Sequence, residues 1–416
     1  MIGADRRLSL VLAGIVAPLV ASTLVALIVL WPRPAHNSEQ AGPPNLPGRV
    51  VAVTEQQCPP DPPDAQIGQV AMRCGTVDVK LTGGPDAGSV IMTQIPAGPG
   101  APDVRVGDDV LVTEVVDPDN PSVRFYDIAD NQRGTQLFVI VLIFAGATII
   151  FARLRGLAAL GGLAISFAVL LLFVVPDIMQ ARNPVLVAVV GSAAIMFAVL
   201  YLTHGINVNT TVAVLGTLVS LVITGVAATL AASATHLTGV TSEDDYDLAL
   251  YYGTVDLRGL LLAGIIIGSL GVLDDVTVTQ AVTVGELHAA NPRMSRLQLF
   301  RSASRVGRAH IASVVNTLVL AYAGASLPLL LLIYAGGSHI GTIITGQLAA
   351  QEIVRSVVGS LGLISAVPIT TGLAAMLTVT RASRPRPSRP RIGTDPTVAA
   401  LVADRRSITT PWDDGI

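Results

Sequence analysis

The stretch from Gly259 to Val282 reads GLLLAGIIIGSLGVLDDVTVTQAV, and no charge interrupts it before Asp274 and Asp275. An α-helix rises about 1.5 Å per residue and the hydrocarbon core of a bilayer is about 30 Å thick, so about 20 apolar residues make a span. This run is long enough to cross, and it sets two adjacent carboxylates within the crossing. The step pattern Gly264, Gly268, Gly271, Asp275, Thr279 puts these residues on one helical face, with Glu286 on the same face further along. The small residues Gly264, Gly268 and Gly271 predict close packing of another helix on that face, so Asp275 is expected to point into a bundle. Asp274 lies about 100° round the helix, towards Thr277 and Val278.

Composition extends this reading to the whole chain. With 416 residues, 51% of them hydrophobic and 13% charged, the chain does not fit an ordinary soluble domain. Mean hydropathy is +0.64. The expectation is an all-α polytopic membrane bundle of eight transmembrane helices, with a small β-rich, OB-like extracytoplasmic domain after the first. The first helix is an uncleaved anchor over Leu8 to Leu30, following Arg6 and Arg7. Seven more spans are expected at 137–152, 157–175, 185–202, 211–232, 259–282, 311–334 and 353–379.

The domain plan is a cytoplasmic start and anchor over 1–32, a β-rich domain over 33–134, a seven-helix domain over 135–380 and a basic tail over 381–416. Alternating runs such as RVVAVTE from Arg49, GTVDVKLT from Gly75 and DDVLVTEVV from Asp109, bounded by turn residues, predict five short strands in the β-domain. Between Arg33 and Gln136 there are 14 acidic and 7 basic residues, which argues against nucleic acid as a partner. Cys58 and Cys74, the chain's two cysteines, both fall in this segment and are expected to form a disulfide in an oxidising compartment.

The basic residues fix the expected orientation. Arg153, Arg155, the five arginines from Arg293 to Arg308 and the tail RASRPRPSRPR all fall on one side of an eight-span plan, while Glu243, Asp244, Asp245 and Asp247 fall on the other. Both termini are therefore placed in the cytoplasm of a bacterial plasma membrane, with 33–134 outside. The segment from Thr241 to Gly259 is too polar to span and is expected to lie on the surface. The tail is expected to be disordered.

Asp274 lies about 24 Å along the helix from Arg258, in the inner part of the membrane. Two adjacent carboxylates there call for a cation, an arginine of the following loop or a helix N-terminus, so a structural role and an ion-handling role both stay open. Asn207 and Thr210 are secondary candidates whose simplest role is to cap a helix. Glu352 and Arg355 are i, i+3 neighbours, for which a local ion pair is the default. Pro368, with Thr370 and Thr371 behind it, marks a kink. No HExxH, GxSxG or P-loop occurs, and no Cys/His spacing suggests a metal. Gly271 is followed by Val272, Leu273 and Asp274, which departs from the Gly-x-Gly-Asp pattern of intramembrane aspartyl proteases. Neither catalysis nor a cofactor is expected.

Three stretches carry a resemblance: DLRGLLLAGIIIGSLGVLDDVTVTQAVTVGELHAANP, GRAHIASVVNTLVLAYAGASLPLLLL and QEIVRSVVGSLGLISAVPITTGLAA. They resemble the YibE/F-like family of bacterial polytopic membrane proteins, over Thr135 to about Thr380. The preceding domain also resembles the β-rich segment that some of these proteins carry. The resemblance implies a polytopic membrane fold and assigns no substrate. The expected function is that of a transporter or permease-like protein for an ion or small solute, with Asp274, Asp275, Thr279 and Glu286 as pathway candidates. The alternative is an envelope scaffold whose outer domain binds a partner. The expected partners are the lipid bilayer and either a second copy of the chain or an envelope protein.

Overall fold

The computed structural model describes residues 3–32, 45–58, 73–98, 100–116, 124–240, 250, 255–335, 341 and 345–379. The acidic run from Glu243 to Asp247 and the basic tail lie outside the described residues. By packing, the chain divides into one unit of Met1–Trp31 with Ile165–Ile416 and a second of Pro32–Ala164. The first helix belongs with the bundle, and the helix that follows the β-domain begins in the β-domain's unit.

The second unit holds five strands: β1 Asn45–Gln56, β2 Cys74–Leu81, β3 Val90–Gln94, β4 Asp109–Val116 and β5 Arg124–Asn131. They form one antiparallel sheet in the order β3-β2-β1-β4-β5. Alternation puts Val77, Val79, Val110 and Val112 on one face, where they are fully buried with Val50 and Leu81. The sheet curls, because the hydroxyl of Thr93 on one edge strand donates to the carbonyl of Tyr126 on the other at 2.6 Å. Cys58 and Cys74 are disulfide-bonded across a separation of 16 residues. Outside the membrane spans, Asp109 is held below the usual carboxylate range chiefly by its hydrogen bond from Arg49, with Oδ1 2.7 Å from Nε.

From Gly134 a helix, α2, runs to Val169 with a kink at Arg153, whose φ is 55°. A π-helical turn, Leu170–Val174, leads on to α3, Val175–Met179. Then follow α4 Pro184–His204, α5 Val208–Ala234, α6 Leu257–Ala290, α7 Arg296–Ala325, α8 Leu327–Ala335 and α9 Gln347–Val379; α1 is Gly3–Leu30. Local chemistry starts these helices. Asn183 caps α4 ahead of Pro184 at its first position, Asn207 caps α5, Asp256 caps α6, and Ser295 with Gln298 forms a capping box on α7.

Among the described residues, eight helical segments are long and apolar enough to cross a membrane, at Leu10–Leu30, Gly134–Ala152, Leu154–Met179, Pro184–His204, Val208–Ala234, Leu257–Ala290, Arg296–Ala325 and Gln347–Leu377. The seventh lies earlier than the sequence suggested, because the polar start of α7, with its capping box, is helical throughout. Four helices make the centre: α4, α5, α6 and α9 each have 56% of their apolar window buried, against 11% for α1 and α7. Their crossings depend on glycine. A Cβ on Gly216 of α5 would run into Thr370 of α9, one on Gly362 of α9 into Thr224 of α5, and one on Gly307 of α7 into Gln280 and Val367. Small residues let helix backbones approach closely where lipid gives no hydrophobic drive.

Gly216→Leu or Gly362→Leu should therefore destabilise the bundle by about 3 kcal/mol, the scale of an overpacked core. Gly146→Leu, where a Cβ meets nothing within 4 Å, is the control and should leave the unfolding midpoint unchanged. Thermal unfolding of the detergent-solubilised protein checks both outcomes.

Candidate functional site

The two aspartates of α6 take opposite positions to those expected. Asp275, read as pointing into the bundle, has a side chain 69% exposed, and its Oδ2 lies 3.5 Å from Nε2 of His310 on α7. Gly264, Gly268 and Gly271 share its open face. A Cβ at Gly264 or Gly271 would meet nothing within 4 Å, and one at Gly268 would meet only the hydroxyl of Tyr322 at 3.2 Å. The close-packed face lies elsewhere on the helix, along Leu270, Leu273, Val276, Thr277, Gln280, Ala281 and Val284. An all-round apolar helix gives no amphipathic signal of inside and outside, so small residues were a poor guide to the buried side.

Asp274 borders the buried face. Its Oδ1 is buried and has no hydrogen-bond partner among the described residues. One turn on, Thr277 is fully buried; its Oγ1 lies 2.7 Å from Oγ1 of Thr217 on α5 and 3.2 Å from the carbonyl oxygen of Asp274. Below that, the hydroxyl of Thr371 on α9 donates to Oε1 of the fully buried Gln280 at 2.9 Å. Gln280 Nε2, Thr370 Oγ1 and Ser220 Oγ are buried with no partner among the described residues. Threonine, serine and glutamine side chains from α5, α6 and α9 thus run through the centre of the bundle, along the face of α6 that Asp274 borders. Such groups bind and pass protons or small cations by exchanging hydrogen bonds, and ionisable residues inside a membrane mark such paths.

The other candidates do not join this cluster. Thr279 is half-buried, and its carbonyl accepts from the Thr283 hydroxyl. Glu286 is exposed, about 18 Å along the helix from Asp274. Asn207 accepts from the Thr210 backbone N–H at 2.9 Å and so serves as a cap. Glu352 and Arg355 form a local pair at 2.8 Å. No arginine from Arg293 to Arg308 forms an ion pair among the described residues, so of the partners left open for the acidic step the loop arginines are not the ones in contact, and Asp275 meets His310. Among the described residues, no group of three His, Cys, Asp or Glu is placed to hold a metal ion.

Two features were not read from the sequence. The hydroxyl and amide row of Thr217, Thr277, Gln280, Thr370 and Thr371 assembles three helices, and its signals in sequence are the Thr217, Ser220, Thr224 spacing on α5 and the Thr370, Thr371 pair behind Pro368 on α9. Asp177, fully buried, sits 2.9 Å from Nε of Arg182 across the turn between α3 and α4. The available signal was a lone acid after Pro176 at the end of an apolar run, with an arginine five residues on.

Residues 140–380 match the model of the family described as YibE/F-like protein, and the chain belongs to that family. No curated protein and no solved structure matches it.

Removing the partner of a buried carboxylate leaves an uncompensated charge, and because the Arg182 side chain is 32% exposed the cost falls below that of a fully buried pair, about 3–5 kcal/mol. Arg182→Ala should therefore lower thermal stability, and adding Asp177→Asn in the same chain should restore much of it. An Arg182→Ala protein that melts like the parent would show that the pair carries no such energy.

Proposed function

We propose that this integral membrane protein of the YibE/F-like family is a transporter in which Asp274 carries a proton, alone or exchanged against a small monovalent cation. The observation that carries the reading is the buried, unpartnered Oδ1 of Asp274 beside the polar row of α5, α6 and α9. A carboxylate with no fixed cation beside it is costly to hold ionised in a membrane and cheap to protonate, which is what a carrier of protons requires. The absence of a three-ligand cluster among the described residues favours a proton over a coordinated divalent metal as the species carried.

In this reading the chain sits in a bacterial plasma membrane with both termini in the cytoplasm. The disulfide of the β-domain and the arginine bias of the loops support that orientation. α6 then enters from the outside at Asp256, so Asp274 lies in the inner half of the membrane. Thr277, Gln280 and Thr371 continue from it towards the cytoplasm. Asp275 and Glu286, on the open side of the helix, take no part in the path.

Reconstitution into liposomes with an entrapped pH-sensitive dye tests this. Under an imposed pH gradient, with Na⁺ or K⁺ varied across the membrane, the parent protein should dissipate the gradient faster than empty liposomes. Asp274→Asn should lose this flux at least about tenfold while remaining folded, and Asp275→Asn should keep it. Equal flux from the Asp274→Asn protein, or none from the folded parent, would overturn the assignment.

A further inference from the structure

α7 carries polar as well as apolar side chains on its exposed surface, the apolar ones including Val306, Val319 and Leu320. Arg305, Ala309, Ala312 and Asn316 follow steps of 4, 3 and 4, so they share a face, and all four are exposed together with Ser313. A helix that crosses lipid is expected to turn polar groups inwards, because an amide in hydrocarbon has no water to bind. Beside it, α6 leaves a strip without side chains at Gly264, Gly268 and Gly271, ending on the exposed Asp275.

The two faces complement one another and lie at matching depths. The contacts Asp275–His310 and Gly268–Tyr322 show that α6 and α7 run antiparallel and set their levels to within about 8 Å. Asn316 lies six residues beyond His310, about 9 Å along the axis, and so at the level of Gly268 and Gly271. Arg308 and Arg305 lie within about 8 Å of the level of His310 on the other side, close to the level of Asp275. One face is a shallow glycine floor with an acid at its end. The other is a ridge of small and amide side chains with bases at its corresponding end. A single chain cannot fold the outer side of its own α7 onto its own α6.

We infer that a second copy of this chain covers this surface, in a two-fold dimer whose axis runs along the membrane normal. Such an axis preserves depth, and an isologous contact requires each face to meet its complement on the other copy. The Ala309, Ala312 and Asn316 ridge of one protomer lies over Gly268 and Gly271 of its partner. The glycines admit the ridge closely, and the Asn316 amide exchanges lipid for backbone. Asp275 then faces Arg305 and Arg308 of the other protomer, which adds guanidinium partners to the His310 ring that its own chain supplies. The inference is independent of the transport reading, since it concerns the open side of α6 and not Asp274.

The full-length protein in nanodiscs provides the test, because Cys58 and Cys74 are already bonded and do not compete in cross-linking. A Gly271→Cys, Asn316→Cys chain should form covalent dimers on mild oxidation. Gly271→Leu, which has open space within its own chain, should fold normally yet lower the dimer fraction about tenfold by native mass spectrometry. Asp275→Arg should do the same, and adding Arg308→Glu should restore dimers by re-pairing the charges. A parent protein that is monomeric with lipid alone, a cross-link confined to one chain or to a different protein, or dimers indifferent to Gly271→Leu and Asp275→Arg would each overturn the inference.

Discussion

The close approach of α5 and α9 governs the bundle. At Gly216 against Thr370 and at Gly362 against Thr224, each helix supplies a glycine where the other supplies a threonine, so the contact is reciprocal. Lipid tails are as apolar as leucine side chains, and burial alone gives these helices little reason to associate. Association rests instead on dispersion contacts at short range and, where α5 and α9 each meet α6, on side-chain hydrogen bonds. The same closeness brings Thr217 to Thr277 and Thr371 to Gln280. Packing and the polar row are two results of one geometry.

That geometry also explains why Asp274 differs from its neighbour. Adjacent residues on a helix point about 100° apart, so only one of a pair can border a given contact. Because the side of α6 carrying Thr277 and Gln280 turns to α5 and α9, Asp274 is drawn to the edge of the core. Asp275 is left outside with His310. Two identical side chains thus meet different surroundings through a single peptide step. The half-buried one borders the helix face that carries Thr277 and Gln280, and the open one lies beside the His310 ring and a side-chain-free strip.

Much of the architecture was legible because its signals are local or compositional. Apolar runs of span length and Asn, Asp and Ser caps mark helices by their own chemistry. Alternation marks the strands, and two cysteines in one polar segment mark a disulfide. The boundary of α7 was misplaced because the hydropathy of its first half is low, although Ser295 and Gln298 marked its start. Val16 and Val20 of the first span, read from sequence as an anchor, fall in one packed cluster with Phe197 and Leu270.

The sequence by itself determined that this chain is a multi-pass membrane protein with a β-rich domain, that Cys58 and Cys74 pair, and that α6 carries acid within a span. Those properties depend on runs, alternation and spacing along one segment. Which of Asp274 and Asp275 is buried, which glycines are crossing points, and that His310 stands beside Asp275 were decided by the tertiary structure alone. A helix apolar on every side does not encode its inward face. That face is chosen by the fit of its neighbours, and the fit is a property of several helices at once.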